Sequence, residues 1–196
     1  MSVPAVILAG GAARRMGGGD KGLLPLGEGT VLSSVIARLA PQAGALALSA
    51  NGDPARFAPL GLPVLPDPVP GRPGPLAGVL AAMRWAGAAG AERVATAAAD
   101  TPFLPADLLA RLAAAGPGIV VAAAPDPERG ASRHPTFALW PAALADALEA
   151  ALAGGTRKVL AFADAHGWTE ARFPDGAAFF NVNTPDDLAE ARRRCG

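Results

Sequence analysis

The chain has no tyrosine, one cysteine and two histidines among its 196 residues. Aromatic residues make up only 5% of it, as seven Phe and three Trp, so the core has to be built mainly from Leu, Val, Ile and Ala. A single cysteine, Cys195, excludes an intrachain disulfide and fits a reducing compartment. His134 and His166 lie far apart in sequence, and no zinc-site spacing is present. Excess charge is also missing: Lys+Arg and Asp+Glu both number 17, which excludes affinity for nucleic acid through bulk charge. Any basic site must therefore be local. No run approaches the roughly 20 unbroken apolar residues that cross a bilayer. The first apolar run lacks a basic lead and breaks at Gly10, so it does not read as a signal peptide. These absences predict a soluble, cytoplasmic protein with neither nucleic acid nor membrane as a partner.

Half of the residues, 51%, are apolar, enough for one well-packed domain at this length. Short apolar runs at 5–9, 45–49, 94–98 and 119–123 read as buried strands, each bounded by Gly, Pro or charge. Residues 64–65 form a further short strand ending at Asp67. Helical spacing falls between them, at 31–39, 76–85, 105–112, 142–152 and 156–166. A terminal helix starts at Pro185, with Thr184 as N-cap and Asp187 at the third position. Alternation of this kind predicts an α/β fold. The irregular stretch at 65–75, "LPDPVPGRPGP", reads as a structured binding loop or a linker.

The first strand runs straight into "LAGGAARRMGGGDKGLL", residues 8–24, where glycines, two arginines and a lysine crowd one loop. Glycine lets backbone N–H groups approach phosphate oxygens, and a following helix start adds a positive dipole. The Walker pattern fails, because Lys21 is followed by Gly22 rather than by Ser or Thr. The dinucleotide pattern fails too, because the segment is too long and too basic for a tight turn into a helix. A loop wrapping a triphosphate fits better. Arg15 can bind phosphate oxygens bidentately, and Lys21 supplies a mobile point charge. Asp100 ends the run "VATAAAD", at the carboxyl end of a predicted strand where α/β sheets gather ligands. There it can ligate Mg²⁺, cap a helix or pair with a loop cation. Asp67 can meet a nucleoside or simply form a turn before Pro68. Asn181 and Asn183 in "FNVN" alternate, so an extended chain points both to one side. His134 in "SRHPTF" reads as a structural residue.

The signature "LAGGAARRMGGGDKGLLPL" resembles that of the molybdenum cofactor guanylyltransferases, within the larger nucleotidyltransferase superfamily. The likeness continues in order through "RLAPQAGALALSAN", "LPD", "GPLAGVLAAM", "ADTPFLPADLLARL", "SRHPTFALWP", "GTRKVLAF" and "FFNVNTPDDL". It implies a single-domain, three-layer Rossmann-like nucleotidyltransferase fold over residues 1–196, with a mostly parallel central sheet and helices on both faces. The implied reaction transfers GMP from GTP to molybdopterin, giving molybdopterin guanine dinucleotide and pyrophosphate, with Mg²⁺ as cofactor.

By resemblance, Lys21, Arg15 and Asp100 would be catalytic, with Asp100 also the metal ligand. Leu8, Ala9, Gly10, Gly11, Gly18, Lys21, Ser49, Asp67, Gly74, Gly78 and Asp100 would hold GTP in the N-terminal half. Arg157, Lys158, Asn181 and Asn183 would hold molybdopterin in the C-terminal half. Proteins of cofactor biosynthesis and molybdoenzyme chaperones are candidate partners. The chain departs from the family pattern at Ala99, where a cysteine is usual, and at Ser49, where asparagine is frequent. Two rival readings stand beside it: a CTP-dependent molybdenum cofactor cytidylyltransferase, and a non-catalytic adaptor that delivers nucleotide or cofactor.

Overall fold

Four parallel strands form one half of a seven-stranded sheet, and a reversed strand joins them to the other half. The computed structural model describes residues 2–10, 20–69 and 74–195. Strand β1 spans Ala5–Leu8, β4 Leu46–Ser49, β5 Val64–Leu65 and β6 Arg93–Ala98. Strand β7 spans Ile119–Asp126, β8 Gly130–Pro141 and β9 Trp168–Arg172. The order across the sheet is β5-β4-β1-β6-β8-β7-β9, with β8 antiparallel to both of its neighbours. A separate small hairpin pairs β2 (Pro25–Leu26) with β3 (Gly29–Thr30). Strands covered on both faces need no polar alternation, which is why "AVIL" and "IVVAAA" read as continuous apolar runs.

Alternate strand residues send their side chains to opposite faces. Ala5 and Ile7 join Leu32, Val35 and Leu39 of α1 (Val31–Leu39) and Leu108 and Leu112 of α3 (Leu108–Ala114). Val6 faces the other layer. There it meets α2 (Pro75–Ala88), α4 (Ala145–Ala153) and α5 (Val159–His166) through Leu76, Val79, Leu80, Leu148 and Phe162. A third, smaller cluster seats α6 (Pro185–Cys195) on the hairpin, with Leu188 and Ala191 against Leu26 and Val31.

Local chemistry sets the helix starts. Thr30 caps α1: its Oγ1 accepts from Ser33 N at 3.1 Å, and Ser33 Oγ accepts from Thr30 N at 2.7 Å. Gly74 precedes α2 with φ 86° and ψ −162°, a region open essentially to glycine alone. Thr184 Oγ1 accepts from Asp187 N at 3.1 Å, while the Asp187 carboxylate accepts from Thr184 N at 2.8 Å. The expected cap of the terminal helix is therefore present, with acids in its first turn and arginines in its last.

Three helices begin later than their spacing suggests. α3 starts at Leu108 and leaves Pro105 in the preceding turn, where its carbonyl accepts from Leu108 N. Residues 142–144 wind as a 3-10 turn before α4, and α5 starts at Val159 rather than at Thr156. Strands β8 and β9 were not expected. "GASRHPTFALWP" carries charge and prolines that mask its strand character, and the register against β7 steps from Ala122–His134 to Val121–Ala138. Pro135, which lacks an N–H for the ladder, falls within the skipped bulge.

Trp140 is fully buried under α2, and its indole Nε1 donates to Thr96 Oγ1 at 3.0 Å. Trp140→Phe leaves the buried threonine hydroxyl unmatched. Urea unfolding of that variant is expected to show a loss of about 1–3 kcal/mol.

Candidate functional site

Strand order reverses at β1, since the chain leaves it for β4 on one side and comes back as β6 on the other. In sheets of this kind the crevice beyond the carboxyl ends, at that switch point, is where ligands bind. A cavity of about 360 Å³ lies there. Leu8, Ala9 and Gly10 enter it from the end of β1, Ser49 and Asn51 from β4, Asp67 from beyond β5, and Asp100 from beyond β6. The ladder continues past the strand ends, with Ala9 N donating to Ser49 O at 2.8 Å and Ala99 N to Leu8 O at 3.2 Å.

Lys21, Gly74 and Gly78 also line this cavity. Gly78 is a packing glycine: a Cβ there would stand 2.8 Å from both Leu8 Cδ2 and Ser49 Oγ. Its lack of a side chain lets the start of α2 sit directly on the ends of β1 and β4. Gly11, Arg15 and Gly18 lie outside the described residues.

Asp100 is the acid of the cavity. Burial pushes its carboxyl above the ordinary carboxylate range, with the Lys21 ammonium acting in the opposite direction. Asp100 O accepts from Val182 N at 2.8 Å, which fastens the late segment 181–183 beside β6. Val182 is buried, and the two asparagines flank it on the open side. The segment belongs to no strand, and this contact rather than a strand ladder joins it to the sheet. Asn181 Oδ1 accepts from Thr101 Oγ1 at 2.5 Å. Asn183 Oδ1 accepts from Lys21 Nζ at 2.8 Å across 162 residues of sequence. The Asp187 carboxylate accepts from Asn183 N at 2.9 Å and from Thr184 N, and these donors hold its carboxyl below the usual range against the opposing effect of burial.

The half-buried carboxylate of Asp100, the amide oxygen of Asn181 and the hydroxyl of Thr101 form an oxygen-only donor set of low charge. No group of three or more His, Cys, Asp or Glu stands ready for a metal among the described residues. That set suits Mg²⁺, which takes one or two protein carboxylates and completes its shell with phosphate and water.

The fold and this geometry agree with what the chain resembles. Residues 5–168 match the family model described as MobA-like NTP transferase domain. A molybdenum cofactor guanylyltransferase of Cereibacter sphaeroides is 54% identical, covering 95% of this chain and 93% of that one. The chain belongs to the molybdenum cofactor guanylyltransferase family. A guanylyltransferase of the same name from Mesorhizobium japonicum is 52% identical, over 97% of this chain and 95% of its own. Among solved structures, the molybdopterin-guanine dinucleotide biosynthesis protein A of Archaeoglobus fulgidus superposes with a TM-score of 0.71 at 25% identity, covering 98% of each chain. The chain is thus a nucleotidyltransferase with a mostly parallel α/β sheet.

Within this guanylyltransferase, Arg157 and Lys158 stand apart from the cavity lining. Arg157 Nη1 donates to the carbonyls of Leu152, at 2.7 Å, and Thr156, at 2.9 Å, closing the end of α4. Lys158 is the N-cap residue of α5. The Arg157 carbonyl lies 4.0 Å from where a Cβ on Gly74 would be, so this basic pair borders the start of α2. His134 stacks on Phe179, ring centroids 4.2 Å apart, and burial lowers its pKa.

Sequence reasoning missed Asp20, Phe57, Thr101 and Thr136, of which all but Thr101 line the cavity. Thr136 sits in the β8 bulge, a displacement that no periodicity announces. Asn51 pairs with Asp67, a contact across 16 residues that no local pattern announces. Asn51 Nδ2 donates to Asp67 Oδ2 at 2.5 Å, and Asp67 N donates to Asn51 Oδ1 at 3.0 Å.

Proposed function

We propose that the chain transfers GMP from GTP to the terminal phosphate of molybdopterin, forming molybdopterin guanine dinucleotide and pyrophosphate. The observation that carries this reading is the meeting of Lys21, Asp100 and Asn183 at the switch point of the sheet. It joins the end of the glycine-rich loop, the end of β6 and the late FNVN segment.

The N-terminal half would hold the nucleotide. Leu8, Ala9, Gly10, Gly11 and Gly18 offer backbone to ribose and phosphates, and Arg15 and Lys21 neutralise the triphosphate. Asp67, with one oxygen held by Asn51, keeps the other to accept a hydrogen bond from guanine or ribose. Ser49, Gly74 and Gly78 shape the wall against the base. The C-terminal half would hold molybdopterin through Asn181, Asn183, Arg157 and Lys158. Mg²⁺, held by Asp100 together with phosphate and water oxygens, would supply Lewis-acid neutralisation of the phosphate charge.

A phosphate oxygen of molybdopterin attacks the α-phosphorus in line, the α–β bridging bond breaks, and pyrophosphate leaves with that electron pair. Lys21 faces the charge that develops on the phosphates. The work of the protein is positioning and charge compensation, and it needs no covalent intermediate.

We place the protein in the cytoplasm, with proteins of cofactor biosynthesis and molybdoenzyme chaperones as candidate partners. No helix among the described residues is long and apolar enough to cross a membrane, and the single cysteine is exposed and free.

The test is release of pyrophosphate from GTP or CTP in the presence of Mg²⁺ and molybdopterin. Release with GTP well ahead of CTP is expected. Faster release with CTP would make the chain a cytidylyltransferase, and silence with both would leave a carrier.

A further inference from the structure

We propose that Arg56 is a positioning residue for the nucleotide: it cancels the Asp20 carboxylate beside Lys21 and ties that arm to the clasp holding Asp67. The inference rests on the nucleotide reading of the cavity given above.

Asp20 lines the same cavity as Lys21. A bare carboxylate there would repel a polyphosphate and offset the lysine next to it. Arg56 closes off that charge, with Nε donating to Asp20 Oδ2 at 2.5 Å. Its other two nitrogens reach different parts of the chain. Nη2 donates to Asn51 O at 2.5 Å, and Nη1 donates to Asp53 O. Asn51 in turn grips Asp67 through both its side-chain oxygen and its nitrogen.

One continuous chain of hydrogen bonds therefore runs from the neighbour of Lys21 to the acid that follows β5. Gly52 makes the route possible. Its φ of 84° is in the left-handed region, and the turn it forms presents the carbonyls on either side of it to one guanidinium. The ring of Phe57 supports the guanidinium from one side, 4.4 Å from ring centroid to Cζ, and is itself 1% exposed. An ammonium is a point charge on a flexible stem and cannot serve three fixed acceptors in one plane.

The experiment uses the full chain and the variants Arg56→Ala, Arg56→Lys, Asp20→Asn and the Arg56→Ala/Asp20→Asn pair. Binding of Mg·GTP is measured by calorimetry, KM for GTP and for molybdopterin by pyrophosphate release, and folding by thermal melting. Arg56→Ala is expected to weaken GTP binding by about tenfold or more, leaving KM for molybdopterin within about twofold. In the double variant much of that loss returns, because the charge left uncovered is gone. Arg56→Lys falls between wild type and alanine, and it carries the test should the alanine variant fail to fold.

GTP affinity unchanged in both Arg56 variants defeats the proposal. So does a double variant no tighter than Arg56→Ala, since the arginine would then be acting only as a strut. If the wild-type chain binds no GTP, the nucleotide reading falls first. Normal binding by wild type and variants alike removes only the role of Arg56.

Discussion

Exchange of Asp100 for asparagine is expected to cut pyrophosphate release by about a hundredfold or more while making the protein more stable at neutral pH. The loss of activity follows from removing the carboxylate that would hold the cation, and the gain in stability from the surroundings of that carboxylate. The carboxyl is half-buried at the end of β6, and that desolvation raises its pKa despite the nearby Lys21 ammonium. The native state therefore holds the proton more tightly than the unfolded chain does. The stability this confers is complete below the ordinary carboxylate pKa and is lost as pH rises through the raised one. Above that raised pKa the wild type carries an ionised carboxylate in a place that disfavours it, and asparagine removes that burden. Thermal midpoints of the two proteins should differ most at neutral pH and converge as the solution is acidified. An asparagine variant that retains most of its activity, or melts below wild type at pH 7, would show that this carboxylate has another task.

Lys21→Ala is expected to lower kcat by about 10²–10³-fold, with a smaller change in GTP affinity. Negative charge grows on the bridging and terminal oxygens as the α–β bond breaks, so a cation facing them contributes more in the transition state than in the bound ground state. In the structure the ammonium is held 2.8 Å from Asn183 Oδ1. Single-turnover rates measured at saturating GTP separate the two contributions. Should the alanine variant lose affinity alone and keep its chemical rate, Lys21 would be a binding residue only. Its melting curve is expected to follow that of wild type, since the side chain makes one hydrogen bond at the surface of the cavity.

Much of the central architecture is legible in the sequence, and its physical reason is simple. Strands β1, β4, β6 and β7 are covered by helices on both faces, so each stands out as an apolar run between polar breaks. The residues at their carboxyl ends can be named from the same pattern, which is how Asp100, Asp67 and the glycine-rich loop come forward. The cap of α6 is equally plain, because Thr184 and Asp187 interact over three residues. Strand β9 is hidden for the opposite reason: it lies at the edge of the sheet, and "WTEAR" carries the polar residues an edge tolerates. Strand β8 is hidden by Pro135 and by the bulge around it.

The site shows the same division. Individual candidate residues can be read one at a time, but the bonds between them cannot. Asp20 meets Arg56 across 36 residues, and Thr101 meets Asn181 across 80. Such pairs depend on how the sheet closes, and a linear pattern holds no trace of that. The residues of the loop point to a triphosphate by themselves and resemblance added guanine and molybdopterin, whereas the bonds around Asp20 and Lys21 came only from the fold.

The bond from Lys21 to Asn183 also makes the site depend on the far end of the chain. All seven strands of the sheet precede residue 173, whereas Asn181, Asn183 and the helix that fixes them follow it. A chain cut just after β9 would retain every strand of the sheet and lose the amide partner of Lys21. Loss of transfer would then mark damage to the tail, even where the strand framework persists.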